Sequence, residues 1–327
     1  MKRNLQAGRL RSGGLSLNVF TPEEIEDIHL ATLEVLDRTG VFVEDEEALD
    51  ILDGGGARVD KAKRSVRLAP HLVEDAIASA PPSFVACGRK PERDYLMGLG
   101  RVGFTNFGEG IQLVDTYSGE LRPPTKKDVG DSARIVDALD DVDVYERALG
   151  AHEVPQDAAA LHNADAILRN TSKHAFIGPM NGFLLRRMVA LAAAIVGGAE
   201  ALRERPIISS VTCPVSPLKL VRECCEIIIE SARSGIACNI LSMAMAGGSS
   251  PVTLAGTLVT HNAEVLAGIT LSQLTAKGAP VVYGSSTTAM DLRFAAASVG
   301  SPECALISAG VAQLARRYLL PSWVAGA

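Results

Sequence analysis

The sequence predicts an α/β protein, a parallel sheet of repeating βα units preceded by a smaller α+β region. Three observations predict it. From residue 124 onward short β-rich runs alternate with longer Ala- and Leu-rich helical runs, and no antiparallel hairpin signal breaks that alternation. The 327 residues, 47% hydrophobic and 21% charged, suffice to bury a large core. We therefore expect two parts, residues 1–123 as an N-terminal α+β extension and residues 124–327 as the sheet with its helices.

In chain order, Thr21-Pro22-Glu23-Glu24 is a capping box with proline at the first helical position. Ile25, Ile28, Thr32, Leu33 and Leu36 then keep one apolar face until Gly40 ends the helix. "EEALDIL" stops at Gly54-Gly55-Gly56, "ARVDKAKRSVRLAP" reads as short strands, and Pro70 to Ala80 is a second helical pattern. Strand-like "SFVACGR" and "GFTNFGEGIQLVDTYSGELR" follow, the latter ending in a turn at Ser118-Gly119. "PTKKDVGDSARIVDAL" is a charged amphipathic helix. The β-rich runs behind it are 141–149, 173–180, 206–214, 236–245, 280–287 and 320–327, each but the last leading into a helical pattern. Six such units suit either a doubly wound sheet or a TIM barrel. A barrel closes with eight strands, so on that reading about six of eight are present.

A formal charge of −6 offers no field to a polyanion, which argues against nucleic acid and anionic membranes as partners. Lys2, Arg3, Arg9 and Arg11 precede no apolar segment of signal-peptide kind, and the uncharged stretch from Ile236 to Ala263 contains Pro251 and several Gly and Thr, unsuited to a bilayer. A cytoplasmic protein is expected. None of the six cysteines has metal-site spacing, so reduced thiols and no metal are the reading.

Gly108-Glu109-Gly110 lies in a strand-like run with no helix behind it, and so is no dinucleotide fingerprint. "MAGGSSPVTLAG" joins a strand to a helix with Ser249 and Ser250 as caps before Pro251, and without a lysine it reads as an ordinary βα turn. His261 and Glu264 sit one turn apart on the helix expected from Pro251 to Ala276, either as a buried polar contact or as a catalytic pair. Glu264 is the only formal charge there, so that helix cannot face water. We expect a subunit interface on it, and hence a homo-oligomer. The strand ends that form the binding face of a βα fold carry Met180, Asn181, Met243, Met245, Tyr283, Ser285, Ser286 and Thr287, with Asp291 and Glu303 following. No obvious catalytic residue stands among them.

The stretches "PPSFVACGR", "GELRPPTKKDV", "SMAMAGGSSPVTLAGTLVTHNAEVLAGITLSQLTAKGAPVVYGSS" and "MDLRFAAASVGSPECALISAGVAQLARRYLLPSWVAGA" resemble the trimethylamine methyltransferase superfamily, from about Thr21 to the end. That family passes a methyl group from a methylated amine to the cobalt of a corrinoid on a separate protein. The resemblance implies a TIM (β/α)8-type barrel, incomplete in this chain. It also implies that pyrrolysine, encoded by an amber codon, is the residue expected immediately after Ala327. Its imine would take up the amine nitrogen and leave a methyl open to displacement by Co(I).

The partners implied are a cognate corrinoid protein and a methylated amine, with no catalytic residue inside residues 1–327. A pocket for a methylated ammonium calls for aromatic faces and carboxylates. Phe107 and Tyr283 are the aromatic candidates, and Glu109, Asp291 and Glu303 the acidic ones. A glycine betaine methyltransferase without pyrrolysine and a non-catalytic module binding the corrinoid protein or an amine are the alternatives.

Overall fold

The computed structural model of the chain describes residues 18–325. Lys2, Arg3, Arg9, Arg11 and the position after Ala327 thus lie outside the described residues. The chain runs through Pro22–Arg38 (α1), Val41–Val43 (β1), Glu46–Gly54 (α2), Arg58–Asp60 (β2), Ser65–Arg67 (β3), Pro70–Ser79 (α3), Ser83–Ala86 (β4), Tyr95–Gly98 (β5), Leu113–Val114 (β6) and Leu121–Arg122 (β7). It continues through Lys126–Ala138 (α4), Tyr145–Glu146 (β8), Ala159–Asn170 (α5), Ala175–Ile177 (β9), Gly182–Val196 (α6), Ala199–Glu204 (α7), Ile208–Thr212 (β10), Lys219–Leu220 (β11) and Arg222–Ser234 (α8). The remainder is Cys238–Ser242 (β12), Met245–Ala246 (β13), Leu254–Thr275 (α9), Val281–Ser285 (β14), Thr288–Asp291 (β15), Ala296–Ala297 (β16), Pro302–Tyr318 (α10) and Ser322–Val324 (β17).

Six parallel strands form the main sheet in the order the chain visits them, β8-β9-β10-β12-β14-β17. A doubly wound sheet would reverse its strand order and place helices on both faces. Without a reversal, successive right-handed crossovers put every helix on one face, and the sheet curls into part of a barrel. The curl brings the edges together: Val144, beside β8, and Trp323 of β17 line one cleft of about 410 Å³ with Tyr95, Met97 and Phe104. The antiparallel β4–β5 hairpin fills the concave side, where Ala86 and Met97 pack against Val144, Phe176, Leu241, Val282 and Trp323.

Strand alternation divides the side chains. On β14, Val282 joins the concave cluster, while Val281 and Tyr283 face the helices. At Gly284 a Cβ would overlap the Asn239 amide, so glycine lets two adjacent strands carry a polar side chain between them.

The capping box at Thr21 forms as expected, with Thr21 Oγ1 accepting from the Glu24 amide and Glu24 Oε2 accepting from the Thr21 amide. Two expectations are corrected around α9. Its N-cap is Thr253, which accepts from the Gly256 amide, whereas Ser249 Oγ accepts from the Met245 amide and Ser250 bonds Thr257. Pro251 therefore belongs to the loop.

Second, the uncharged helix is not left for another subunit. The chain's own α1, α3, α8 and α10 cover it, and Leu258, His261 to Gln273 are buried without a break. Apolar burial of this kind is worth about 1.5–3 kcal/mol per large aliphatic side chain, and the N-terminal helices supply the cover. A further departure is the antiparallel β15–β16 hairpin, set between β14 and α10.

Candidate functional site

The C-terminal ends of the six strands open onto one mouth. β8 ends at Glu146 with Arg147 next, β9 is followed by Gly178, β10 by Cys213 and β12 by Met243. Residues 105–110 run alongside β8, bridging Thr105 to Val144 and Gly110 to Leu149 in parallel. Asn106 ties them down, since its Oδ1 accepts from the Glu146 amide at 3.0 Å and its Nδ2 donates to the Glu146 carbonyl at 2.7 Å. Gly108 is thereby laid over the Glu146 side chain. A Cβ there would stand 3.1 Å from the carboxyl carbon and 2.9 Å from the Arg147 carbonyl oxygen.

The two carboxylates of this mouth are treated differently. Glu109 forms an ion pair with Arg147, next to Gly178. Glu146 uses only its backbone in hydrogen bonds, and its carboxylate receives no donor among the described residues. Burial alone raises that carboxyl from the usual range to about 7. Cys213 presents surface to the mouth. Crowding by protein raises its thiol to about 11, with the Glu146 charge adding to the effect, so it is no thiolate nucleophile at neutral pH.

Behind the sheet, Glu264 of α9 accepts from Ser242 Oγ (2.6 Å), Ser216 Oγ (2.8 Å) and the Leu218 amide (2.9 Å). It thus fastens the loop that leaves Cys213 to the end of β12. His261 bonds Thr287 through Nδ1 at 3.1 Å, and burial lowers it to about 3. The two form neither the catalytic pair nor the mutual polar contact expected, and each is buried with partners of its own.

The five sequence-proposed site residues do not converge. Phe107 is exposed beside Gly108, and Glu109 is committed to Arg147. Tyr283 is fully buried on the helix-facing side of β14, its hydroxyl donating to Asn262 Oδ1 at 2.7 Å and its ring 5.3 Å from His261. It cannot form an aromatic cage with Phe107, because the sheet separates the core from the mouth. Asp291 closes a turn, accepting from the Arg293 amide at 2.9 Å, and caps no helix. Glu303 lies exposed in the first turn of α10.

Residues 2–327 match the family described as trimethylamine methyltransferase. The chain belongs to that family. It is 51% identical to the trimethylamine methyltransferase of Desulfitobacterium hafniense over 326 residues, which is all of this chain and 66% of the relative. With the trimethylamine methyltransferase of Methanosarcina thermophila it shares 44% over 330 residues, 99% of this chain and 68% of the relative. A glycine betaine methyltransferase of D. hafniense is 33% identical over 307 residues, 93% of this chain and 63% of that protein. The chain thus spans about two thirds of the length of the curated relatives it matches. The crystal structure of the Methanosarcina barkeri monomethylamine methyltransferase matches with a TM-score of 0.53 at 13% identity, over 92% of this chain and 65% of that one. At that identity the likeness is one of fold, a TIM-type barrel of which this family member shows a curled, six-stranded part.

The residues of this family member that share the mouth, Glu146, Arg147 and Cys213, are ones that sequence reasoning passed over. A signal for them existed. They end the β-rich runs 141–149 and 206–214, where the strand-end rule applies as much as to the runs that yielded Met180 and Met243.

Proposed function

We propose that this chain is part of a methyltransferase that takes a methyl group from trimethylamine and passes it to the Co(I) corrinoid of a separate corrinoid protein, in cytoplasmic methylamine catabolism. The observation that carries the proposal is the identity along all of the chain to a trimethylamine methyltransferase, 51%, against 33% to a glycine betaine methyltransferase. The latter match keeps demethylation of glycine betaine as the second reading.

An amine is a poor leaving group until its nitrogen carries positive charge. Pyrrolysine, expected directly after Ala327, would supply the electrophile for that, and the corrinoid would supply the methyl acceptor. What residues 18–325 contribute is position. The curled sheet sets a mouth in which a carboxylate without a partner faces the substrate side, and the β4–β5 hairpin closes the concave side beneath it. Alignment of this kind can be worth several kcal/mol of barrier.

The test is to express the whole gene with pyrrolysine incorporation and to supply cob(I)alamin with either amine, following methylcobalamin by absorbance. Methylation that depends on trimethylamine is expected, together with a mass spectrum showing pyrrolysine after Ala327. Turnover of glycine betaine alone would transfer the assignment to the second reading, and no methylation from either would overturn both.

A further inference from the structure

We infer that the Glu146 carboxylate is the cation-recognising group of the mouth, receiving the positively charged centre of a methylated ammonium at the C-terminal end of β8. The inference rests on the methylated-amine reading for the identity of the cation, and on the geometry alone for the existence of the site.

Half-buried carboxylates such as Glu146 are normally paired or hydrogen-bonded too, because partial burial weakens their hydration without supplying a protein donor. Three other acids of this protein that lie away from bulk water obey the rule: Glu264 has three donors, Asp128 has Arg122 and Thr125, and Asp137 has Ser172 and Thr171. Glu146 does not, although it stands at a strand end in the mouth where a binding group belongs. Its neighbour Glu109 is neutralised by Arg147, so among the described residues of the mouth the carboxylate left uncompensated is that of Glu146.

The surroundings select the chemistry of the ligand. An anionic substrate would meet a carboxylate with no cation to offset it. A cation rich in N–H would need several side-chain acceptors around it, whereas the neighbours of the carboxyl group are the Gly108 backbone, the Arg147 carbonyl and the Cys213 thiol. A methyl-clad ammonium needs charge and contact, and makes few hydrogen bonds. Gly108 has its role here, because any side chain at that position would press on the carboxyl group and on the Arg147 carbonyl.

Tetramethylammonium chloride is the probe, since it presents the charged, methylated centre and has no lone pair to react. Calorimetric titration of the full chain should show binding that is about tenfold tighter at pH 8 than at pH 6, as the carboxyl ionises through about 7. The Cys213 thiol facing Glu146 stays protonated across this range, and Arg147 is engaged by Glu109 in an ion pair. Glu146→Gln, close in shape, should lower affinity at least about tenfold at pH 8 and abolish the pH dependence, while Glu303→Gln on α10 leaves both unchanged.

As a second readout, tetramethylammonium should slow modification of Cys213 by a thiol reagent in the unsubstituted protein and not in Glu146→Gln. Equal binding by Glu146→Gln, or no binding and no Cys213 protection in the unsubstituted protein, would overturn the inference. Methyl transfer from trimethylamine without tetramethylammonium binding would leave the proposed function standing and remove this one. Binding without methyl transfer would do the reverse.

Discussion

Glu264 and Glu146 are two carboxyls, one fully buried behind the sheet and one half-buried in its mouth, and burial raises both above the ordinary range. Their surroundings make them opposites. Glu264 collects three hydrogen bonds that oppose the effect of burial and stitch the 216–218 loop to β12. Glu146 collects none, and burial is the whole cause of its shift. The difference teaches that burial alone does not describe an acid's surroundings. The donors it collects have to be counted as well.

The sharpest way to break that contrast is Glu264→Ala. It leaves Ser216, Ser242 and the Leu218 amide without an acceptor and opens a cavity, and it should cost about 3–5 kcal/mol in urea unfolding at pH 7. A loss below about 1 kcal/mol would mean that the stitched loop does not depend on it.

Glu146→Gln should go the other way. The folded carboxyl titrates at about 7, above the unfolded value of 4.5, so the folded state holds the proton more tightly. The associated stability is complete below pH 4.5 and is lost as pH rises through 7. Glutamine suffers no such loss, so the variant should be more stable by about 2 kcal/mol at pH 8 and equal to the parent near pH 4, as read by thermal unfolding at both values. A variant less stable at pH 8 would reveal hidden donors and erase the contrast.

Smaller effects refine it. Tyr283→Phe removes the donor to Asn262 Oδ1 and should cost about 1 kcal/mol while leaving tetramethylammonium affinity untouched, which separates the core side of β14 from its mouth side. Smallest should be Glu109→Ala. Its side chain is 57% exposed, and a rim ion pair of that kind is worth about 0.5 kcal/mol, so chemical denaturation should hardly register its loss.

Much of this protein was legible residue by residue. Thr21-Pro22-Glu23-Glu24 marked α1, and the Thr125–Asp128 box opens the charged helix read from "PTKKDVGDSARIVDAL". The β-rich runs became the six strands because local alternation and helical period are written in contiguous residues. The site was less legible. Tyr283 looked like a strand-end aromatic, yet one step of register decides whether a side chain faces core or mouth, and composition does not show the register. The uncharged α9 announced burial without naming its cover, which comes from the neighbouring α8 and α10 together with α3 and α1, more than 170 residues away in sequence.

The sequence by itself determined which segments are helix and strand, that the strands run parallel, and which family the chain resembles. These rest on periodicity, caps and motif identity, all of them short-range. Only the tertiary structure decided that Glu109 is spent on Arg147 while Glu146 stands alone, and that α9 is wrapped by its own chain. Pairing and cover depend on distances between residues remote in sequence, and those exist only once the sheet has curled and the N-terminal helices have packed against its back.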